Sequence, residues 1–485
     1  MPVAGKLGFD VKLAFGGGQF AEGLKNAALG TFLLFFYNQV LGVPGSLAGL
    51  AVGIALVVDA FTDPVAGSLS DHWRSRYGRR HPFMYASILP LMAAFFFLFN
   101  PLVSSEIGLF VWMVVFSNAT RLSMSLYHVP HIALGAEMTE DFDERSKLVG
   151  FRMFFSNLGL LFTFAAAFLI FFTPTPEFEN GQLNAAAYAP FALLLSALMG
   201  ITIFWSAWGT RSVIPFLPAP PEEPRPGLGQ VLGRVVHDIR AASRSRSFRW
   251  LFLGVLIIFA AVGVNAGLDL YVFTYFWELD RTGVLLVLLA YPLGAMLGSF
   301  FSAPLFSRFG KKAGLIFGAS SWPLLQCTPI VARLMDWFPE NGDPLLIALL
   351  IAIRLVQGAC TVQAYIAFGS MVADIVDEHE FETGRRREGT FFAAVSFSAK
   401  TTSGLGNVVA GVALDLISWP RGAHIRTAAD VPTETIVDLG LVYGPVVAAF
   451  GLVSVWCYTH YRLTRERHAE ILKQLAGRRT APTTA

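Results

Sequence analysis

Asp59 and Asp63 lie four residues apart in a run of the chain that is otherwise apolar. At that spacing they share one face of a helix within a single turn. Two carboxylates so close repel each other unless a cation or a proton sits between them. A sodium ion takes hard oxygen ligands, and Thr62, between the two aspartates, offers a hydroxyl. Pro64 removes one backbone donor and frees carbonyl oxygen nearby. The cluster is read either as a site for a monovalent cation or proton, or as two carboxylates each bridged to an arginine elsewhere.

Other polar residues interrupt apolar runs in the same way. Arg121, Ser125, His128 and Ile132 follow 4-3-4 spacing and form one stripe, with Pro130 beside it. His128 is read either as a hydrogen-bonded core histidine or as a pocket residue with pH-dependent charge. His131 lies off the stripe and is assigned a structural role. Glu22, Lys25 and Asn26 share a face, so Glu22 and Lys25 can neutralise one another. Arg152 and Lys400 have no acidic residue at helical spacing, so their partners come from other helices or from a ligand. Asn265, Asp269 and Tyr271, and further on Arg354, Gln357 and Gln363, are polar in two later apolar runs. The nine histidines show no metal-ligand spacing, and the three cysteines are scattered in apolar runs.

The elements that must position these residues follow from composition. The chain has 485 residues, 54% hydrophobic and only 14% charged, where a soluble domain carries about 25% charged residues. That excludes a soluble enzyme, a nucleic-acid binder and a disordered scaffold. About twelve stretches have the roughly 20 apolar residues that a bilayer-spanning helix needs. They are centred near residues 28, 57, 93, 122, 161, 200, 262, 294, 323, 360, 403 and 449. Of the 36 Lys and Arg residues, 27 fall in the terminal segments and every second loop, and four in the alternate loops. This asymmetry predicts cytoplasmic termini. The remaining five, Lys25, Arg121, Arg152, Arg354 and Lys400, lie inside spans, where a charge costs about 2.5–3.5 kcal/mol on insertion scales.

The expected fold is all-α: a polytopic membrane protein with twelve transmembrane helices in two six-helix halves. The halves cover residues 1–208 and 249–462, joined by a cytoplasmic linker over 209–248 and followed by a tail over 463–485. In the linker a proline-rich stretch precedes Val231, Leu232, Val235, Val236 and Ile239, which recur at helical spacing among arginines. That pattern predicts an amphipathic helix on the inner leaflet or on the protein's own cytoplasmic face. The halves are related to each other. Ser75-Arg76-Tyr77-Gly78-Arg79-Arg80 and Ser307-Arg308-Phe309-Gly310-Lys311-Lys312 match residue by residue at a constant offset of 232 positions. Internal repeats around a midplane site are characteristic of secondary transporters.

These residues carry a resemblance. Gly67 to Asp71 followed by Gly78-Arg79-Arg80 is similar to the loop motif of the major facilitator superfamily. Together with Asp59 to Pro64 (DAFTDP), Phe35 to Gly42 (FFYNQVLG) and Met371 to Ala393, it resembles the glycoside–pentoside–hexuronide:cation symporter family. The sodium-dependent lysophospholipid symporters belong to the same wider group. The resemblance implies cation-coupled symport by alternating access. It makes Asp59 and Asp63 the cation-binding carboxylates, with Thr62 and Ser125 lining their site. It further implies that Arg152 contacts the substrate and that Lys400 links the cation and substrate sites. Two positions depart from the family's sugar-gripping pattern. Gly23, beside Glu22, stands where a first-span aspartate is expected. His128 and Ile132 replace a fourth-span aspartate and a stacking tryptophan.

The expected function is therefore symport, coupled to Na⁺ or H⁺, of a sugar, glycoside or sugar acid. The loss of two carboxylates favours an anionic solute. The candidate substrate residues are Arg152, Lys400, His128, Glu22, Lys25, Asn26 and Ile132. Asp71, Arg79, Arg80, Lys311, Lys312 and Glu382 are candidate gating residues that make and break ion pairs. The alternative cargo is a lysolipid or other amphiphilic anion. A non-transporting membrane enzyme or receptor would need a nucleophile–base or metal cluster, and the sequence offers none. No cofactor other than the coupling cation is expected. The expected setting is a bacterial inner membrane, with the chain functioning as a monomer and binding no nucleic acid.

Overall fold

The computed structural model describes residues 7–139, 141–217, 246–384, 388–422, 424–461, 463 and 465–480, with 227, 229, 230, 233 and 240 of the linker. The linker's Val231, Leu232, Val235, Val236 and Ile239 lie outside the described residues. Among the described residues the regular elements are all helical. Ten segments are long and apolar enough to cross a membrane. The first apolar run is outside those ten because it is built in pieces. It comprises α1 (Phe9–Gly17), α2 (Gln19–Ala27), a wide π turn over Ala28–Phe32, α3 (Leu33–Phe35) and a second π turn over Phe36–Val40.

The helices that position the candidate site come next. They are α4 (Gly45–Asp71), α5 (His81–Ala86), α6 (Ile88–Leu98), α7 (Glu106–Glu137), α8 (Phe142–Ala166) and α9 (Ala185–Gly209). Ser105, Asp141 and Asn184 cap α7, α8 and α9 by accepting from the backbone N–H of Gly108, Glu144 and Ala186, which satisfies donors left free at a helix start. The Asp141 cap starts α8 ten residues before Arg152, so that arginine sits well inside the helix rather than at its entry. Pro64 and Pro130 are both accommodated inside unbroken α4 and α7.

The later helices are α10 (Arg246–Tyr271), α11 (Arg281–Ser299), α12 (Ser302–Phe309), α13 (Lys311–Leu334), α14 (Pro344–Thr383) and α15 (Glu388–Leu416). They are followed by α16 (Thr433–Leu441), α17 (Val447–Thr459) and α18 (Arg465–Thr480). By internal contacts the chain forms two compact units. One comprises Met1–Leu232, Gly263–Leu285 and Gly404–Leu439, the other Gly233–Val262, Leu286–Ser403 and Gly440–Ala485.

In the first unit, small residues let backbones approach closely. A Cβ added at Gly23 on α2 would stand 2.0 Å from the Ser156 carbonyl oxygen on α8, and one at Gly159 would stand 2.4 Å from the Phe20 carbonyl oxygen. Packing through small residues is the rule where lipid supplies no hydrophobic drive between helices. Phe32, Phe36, Phe99, Phe172, Tyr188 and Phe191 form an aromatic core with ring centroids 4.2–6.4 Å apart. Pro44 has no capping side chain, and α4 is capped instead by Asp415 at the end of α15. Its Oδ1 accepts from Gly45 N at 2.9 Å and its Oδ2 from Ser46 N at 2.8 Å. In the second unit Phe248, Leu251, Leu315, Met371, Ile375 and Tyr458 belong to one buried cluster.

Candidate functional site

Helices α4 and α7 pack together along their length, bringing Asp59 and Asp63 against the stripe on α7. Ser125 Oγ lies 2.6 Å from Asp63 Oδ1 and 3.1 Å from Asp59 Oδ1, so one hydroxyl bridges the two carboxylates. Asp59 and Ser125 are each only 4% exposed. Thr62 shares the turn, with its hydroxyl donating to the Asp59 carbonyl oxygen at 3.0 Å. One turn before Ser125, the buried Arg121 brings Nη1 to 3.9 Å from Asp59 Oδ2. The result is a small, largely dry pocket of oxygen atoms with one guanidinium at its edge. Two carboxylates, a hydroxyl and nearby carbonyl oxygens fit a hard monovalent cation, and either carboxylate can instead take a proton.

A second polar group lies on α2, α7 and α8. Lys25 Nζ donates to Glu22 Oε1 at 2.9 Å, and Asn26 Nδ2 donates to the same oxygen at 3.1 Å. His128 Nδ1 is 3.9 Å from Glu22 Oε2 and 3.4 Å from Gln19 Nε2. Gln19 also reaches His131 Nδ1 at 3.1 Å. His131 is fully buried, stacks on Phe15 with centroids 4.2 Å apart, and contacts the Phe15 carbonyl oxygen through Nε2 at 2.8 Å. It is thus a structural histidine, whereas His128 is partly exposed beside charged groups. Arg152 is half-buried, and its Nε has no hydrogen-bond partner. Ile132 is exposed at the end of the stripe. Lys400 is half-buried on α15, in the second compact unit. Gly23 has no room for a side chain against α8, so Glu22 is the first-span carboxylate that this pocket uses.

The candidate gating residues occupy two turns of like sequence. Arg80 is 4% exposed and reaches Asp71 Oδ1 and Glu137 Oε1, each at 2.6 Å, and Ser70 Oγ at 2.6 Å. Arg79 Nη2 also donates to Glu137 Oε1, at 2.7 Å. Lys311 Nζ pairs with Asp374 at 2.8 Å, and Lys312 Nζ donates to the carbonyl oxygens of Thr459 and Tyr461. Glu382 is exposed near the end of α14, two turns beyond Asp374. Among charges close to this turn, Asp374 and Glu378 join burial in pushing the Tyr461 hydroxyl well above the usual tyrosine range. Sequence reasoning missed Gln19, Glu137 and Asp374. Gln19 was legible as a polar residue one turn before Glu22, and Glu137 as an acid closing the fourth apolar run.

Residues 14–465 match the model of a family described as "MFS/sugar transport protein". The chain belongs to that family. It is a transporter and not an enzyme, a multi-pass protein of the bacterial inner membrane. An uncharacterized symporter of Synechocystis is 26% identical, with 98% of each chain covered. A putative 2,3-dihydroxypropane-1-sulfonate exporter of Escherichia coli is also 26% identical, over 99% of this chain and 98% of its own. A putative glycoside/cation symporter of E. coli is 24% identical, over 97% of this chain and 95% of its own. The crystal structure of a nucleoside transporter, NupG, superposes on this transporter with a TM-score of 0.63 at 13% identity, covering 94% of this chain and all of that one. That likeness carries the major facilitator fold.

Proposed function

We propose that this transporter is a cation-coupled symporter, in which one Na⁺ or H⁺ held by Asp59 and Asp63 accompanies each molecule of solute. The observation that carries the reading is the Ser125 hydroxyl bridging both carboxylates in a buried pocket. Thr62 completes the polar wall. Two bare carboxylates this close are held apart by repulsion, and a monovalent cation or proton between them relieves it. The relatives named as symporters support the coupling. The chain works as a monomer with twelve spans and both termini in the cytoplasm, as the Lys and Arg asymmetry requires.

The solute we propose is a small polar anion of the sugar-acid or sulfonate type, or a glycoside. Arg152, Lys400, His128, Lys25 and Asn26 supply donors, while Glu22 is already engaged by Lys25 and Asn26. Ile132 offers an apolar patch beside them. The sulfonate named for one relative and the glycoside named for another bracket this choice. Cation and solute together stabilise a closed state that neither favours alone, which is the thermodynamic content of coupling. The ion pairs of Asp71, Arg79, Arg80 and Lys311 then break and re-form as the transporter changes face, with Lys312 and Glu382 close by.

Uptake into proteoliposomes tests the proposal. A panel of glycosides, sugar acids and small sulfonates is offered under an imposed sodium gradient, an imposed proton gradient, or neither. The expected result is accumulation of at least one solute under one gradient, lost in Asp63→Asn. Uptake of a solute that ignores both gradients would overturn the coupling.

A further inference from the structure

The cation pocket has a feature that its carboxylates alone do not explain. Arg121 is buried, and its side chain lies one turn from Ser125 on the same face of α7. A guanidinium brought into the membrane interior normally makes bidentate, hydrogen-bonded contact with a carboxylate, because its planar fork matches that shape. Here the approach to Asp59 is loose, at 3.9 Å, and the buried Nε has no hydrogen-bond partner. The nearer oxygen contacts of the two aspartates are with Ser125. Arg121 is therefore close enough to act on the pocket's charge without closing it.

We propose that Arg121 sets the charge specificity of the cation site, acting as a resident counter-charge that restricts the pocket to one weakly held monovalent ion. The inference rests on the cation-site reading of Asp59 and Asp63. The physical logic is a charge balance. Arginine stays protonated at any physiological pH. Two carboxylates and one guanidinium leave a charge of −1, which a single Na⁺ or H⁺ neutralises. Without the guanidinium the pocket carries −2, and its oxygen ligands then suit a divalent ion such as Ca²⁺. With the guanidinium in place, a divalent ion would leave a surplus positive charge in a poorly solvated site, which is strongly disfavoured. Arg121 also repels the monovalent ion it admits, so binding stays weak enough for release on every cycle.

The test uses the full-length protein purified in detergent, with thermal stability followed against added NaCl or CaCl₂ at constant ionic strength. Ligand binding to the folded state raises apparent stability in proportion to occupancy. The variants are Arg121→Met, Arg121→Gln and Arg121→Lys, each alone and combined with Asp63→Asn. In Arg121→Met or Arg121→Gln the sodium midpoint falls at least about tenfold, as expected on removing a like charge at this range. The same variants gain a calcium response that the natural protein lacks, and Asp63→Asn abolishes both effects. Arg121→Lys, which keeps the charge, stays within about threefold of the natural midpoint.

An unchanged or raised sodium midpoint in both neutral variants, with no calcium response, overturns the inference. So does failure of both to fold while Arg121→Lys folds, because the charge would then be needed for structure. In either case a sodium or proton response of the natural protein that depends on Asp63 leaves the cation site standing. If no protein in the set responds to sodium, calcium or pH through Asp63, the cation site falls and this inference falls with it.

Discussion

The turns at Ser75–Arg80 and Ser307–Lys312 share a sequence pattern and a backbone but hold their helices by different chemistry. Both place a glycine at positive φ, Gly78 at 75° and Gly310 at 83°, the left-handed conformation that side chains resist. Both follow it with two basic residues. In the first turn the bases are arginines, and they converge on shared acceptors: Arg80 alone reaches Asp71, Glu137 and Ser70. In the second they are lysines with separate partners. Lys311 takes Asp374, and Lys312 takes the carbonyl oxygens just beyond α17. A guanidinium presents five donors in a fixed plane, whereas an ammonium is a point charge on a flexible stem. The same repeat thus yields a shared, buried network in one place and two independent tethers in the other. Partial positive charge beside helix-end carbonyls also suits the macrodipole, which accounts for Lys312 without any carboxylate.

The largest expected effect comes from removing the hub of the first network. Arg80→Ala leaves Glu137, itself mostly buried, with part of its charge uncompensated, and should cost about 3–5 kcal/mol. Lys312→Ala loses only neutral acceptors and should cost about 1 kcal/mol. Thermal unfolding of both variants in detergent compares them directly, and equal losses would break the contrast.

A smaller difference is expected from the acids. Glu137→Gln removes the acceptor shared by two arginines and should cost about 1–3 kcal/mol. Asp374→Asn faces a lysine that is 39% exposed, so its loss should stay below about 1 kcal/mol. Exchange of the bases sharpens the point further. Arg80→Lys cannot keep all three contacts and should cost about 1–2 kcal/mol, while Lys311→Arg keeps its single partner and should change stability by less than about 0.5 kcal/mol.

The smallest contrast concerns the two glycines, where the turns should behave alike. Gly78→Ala and Gly310→Ala each force a Cβ into a positive-φ position at about 1–2 kcal/mol. Only Gly78 has a close neighbour, Ile214 Cγ2 at 3.3 Å from the added atom. Its variant should therefore be the less stable of the two by a few tenths of a kcal/mol. A reversed order in melting temperature would mean that the backbones differ more than their φ angles do.

Much of this molecule was legible before any coordinates were considered. The internal repeat predicted the paired turns. The cost of burying charge singled out Asp59, Asp63, Arg121, Arg152 and Lys400 without any knowledge of their neighbours. The Glu22–Lys25 pair was legible because both partners sit on one helix face, and the ion pair at 2.9 Å follows that spacing. The structural role of His131 was legible from its position off the polar stripe. Less was legible wherever the partner lies on another helix. Glu137 and Asp374 were not singled out from the sequence, since nothing local distinguishes them from other acids at helix ends. The start of α8 at Phe142 was also missed, because the polar segment before Arg152 hides the Asp141 cap.

By itself the sequence determined the class of protein, the repeat and the set of charges that needed an explanation. Hydropathy and helical spacing are local properties, and the price of a buried charge is set by the bilayer rather than by its neighbours. Only the tertiary structure decided which of those charges meet. The rotation of α7 against α4 puts Ser125 between two carboxylates and leaves Arg121 loosely beside them. The contact of α2 with α8 closes the space at Gly23 and leaves Glu22 as the pocket's carboxylate. Helix rotation and approach depend on small-residue packing summed over whole interfaces, and no single stretch of sequence carries that sum.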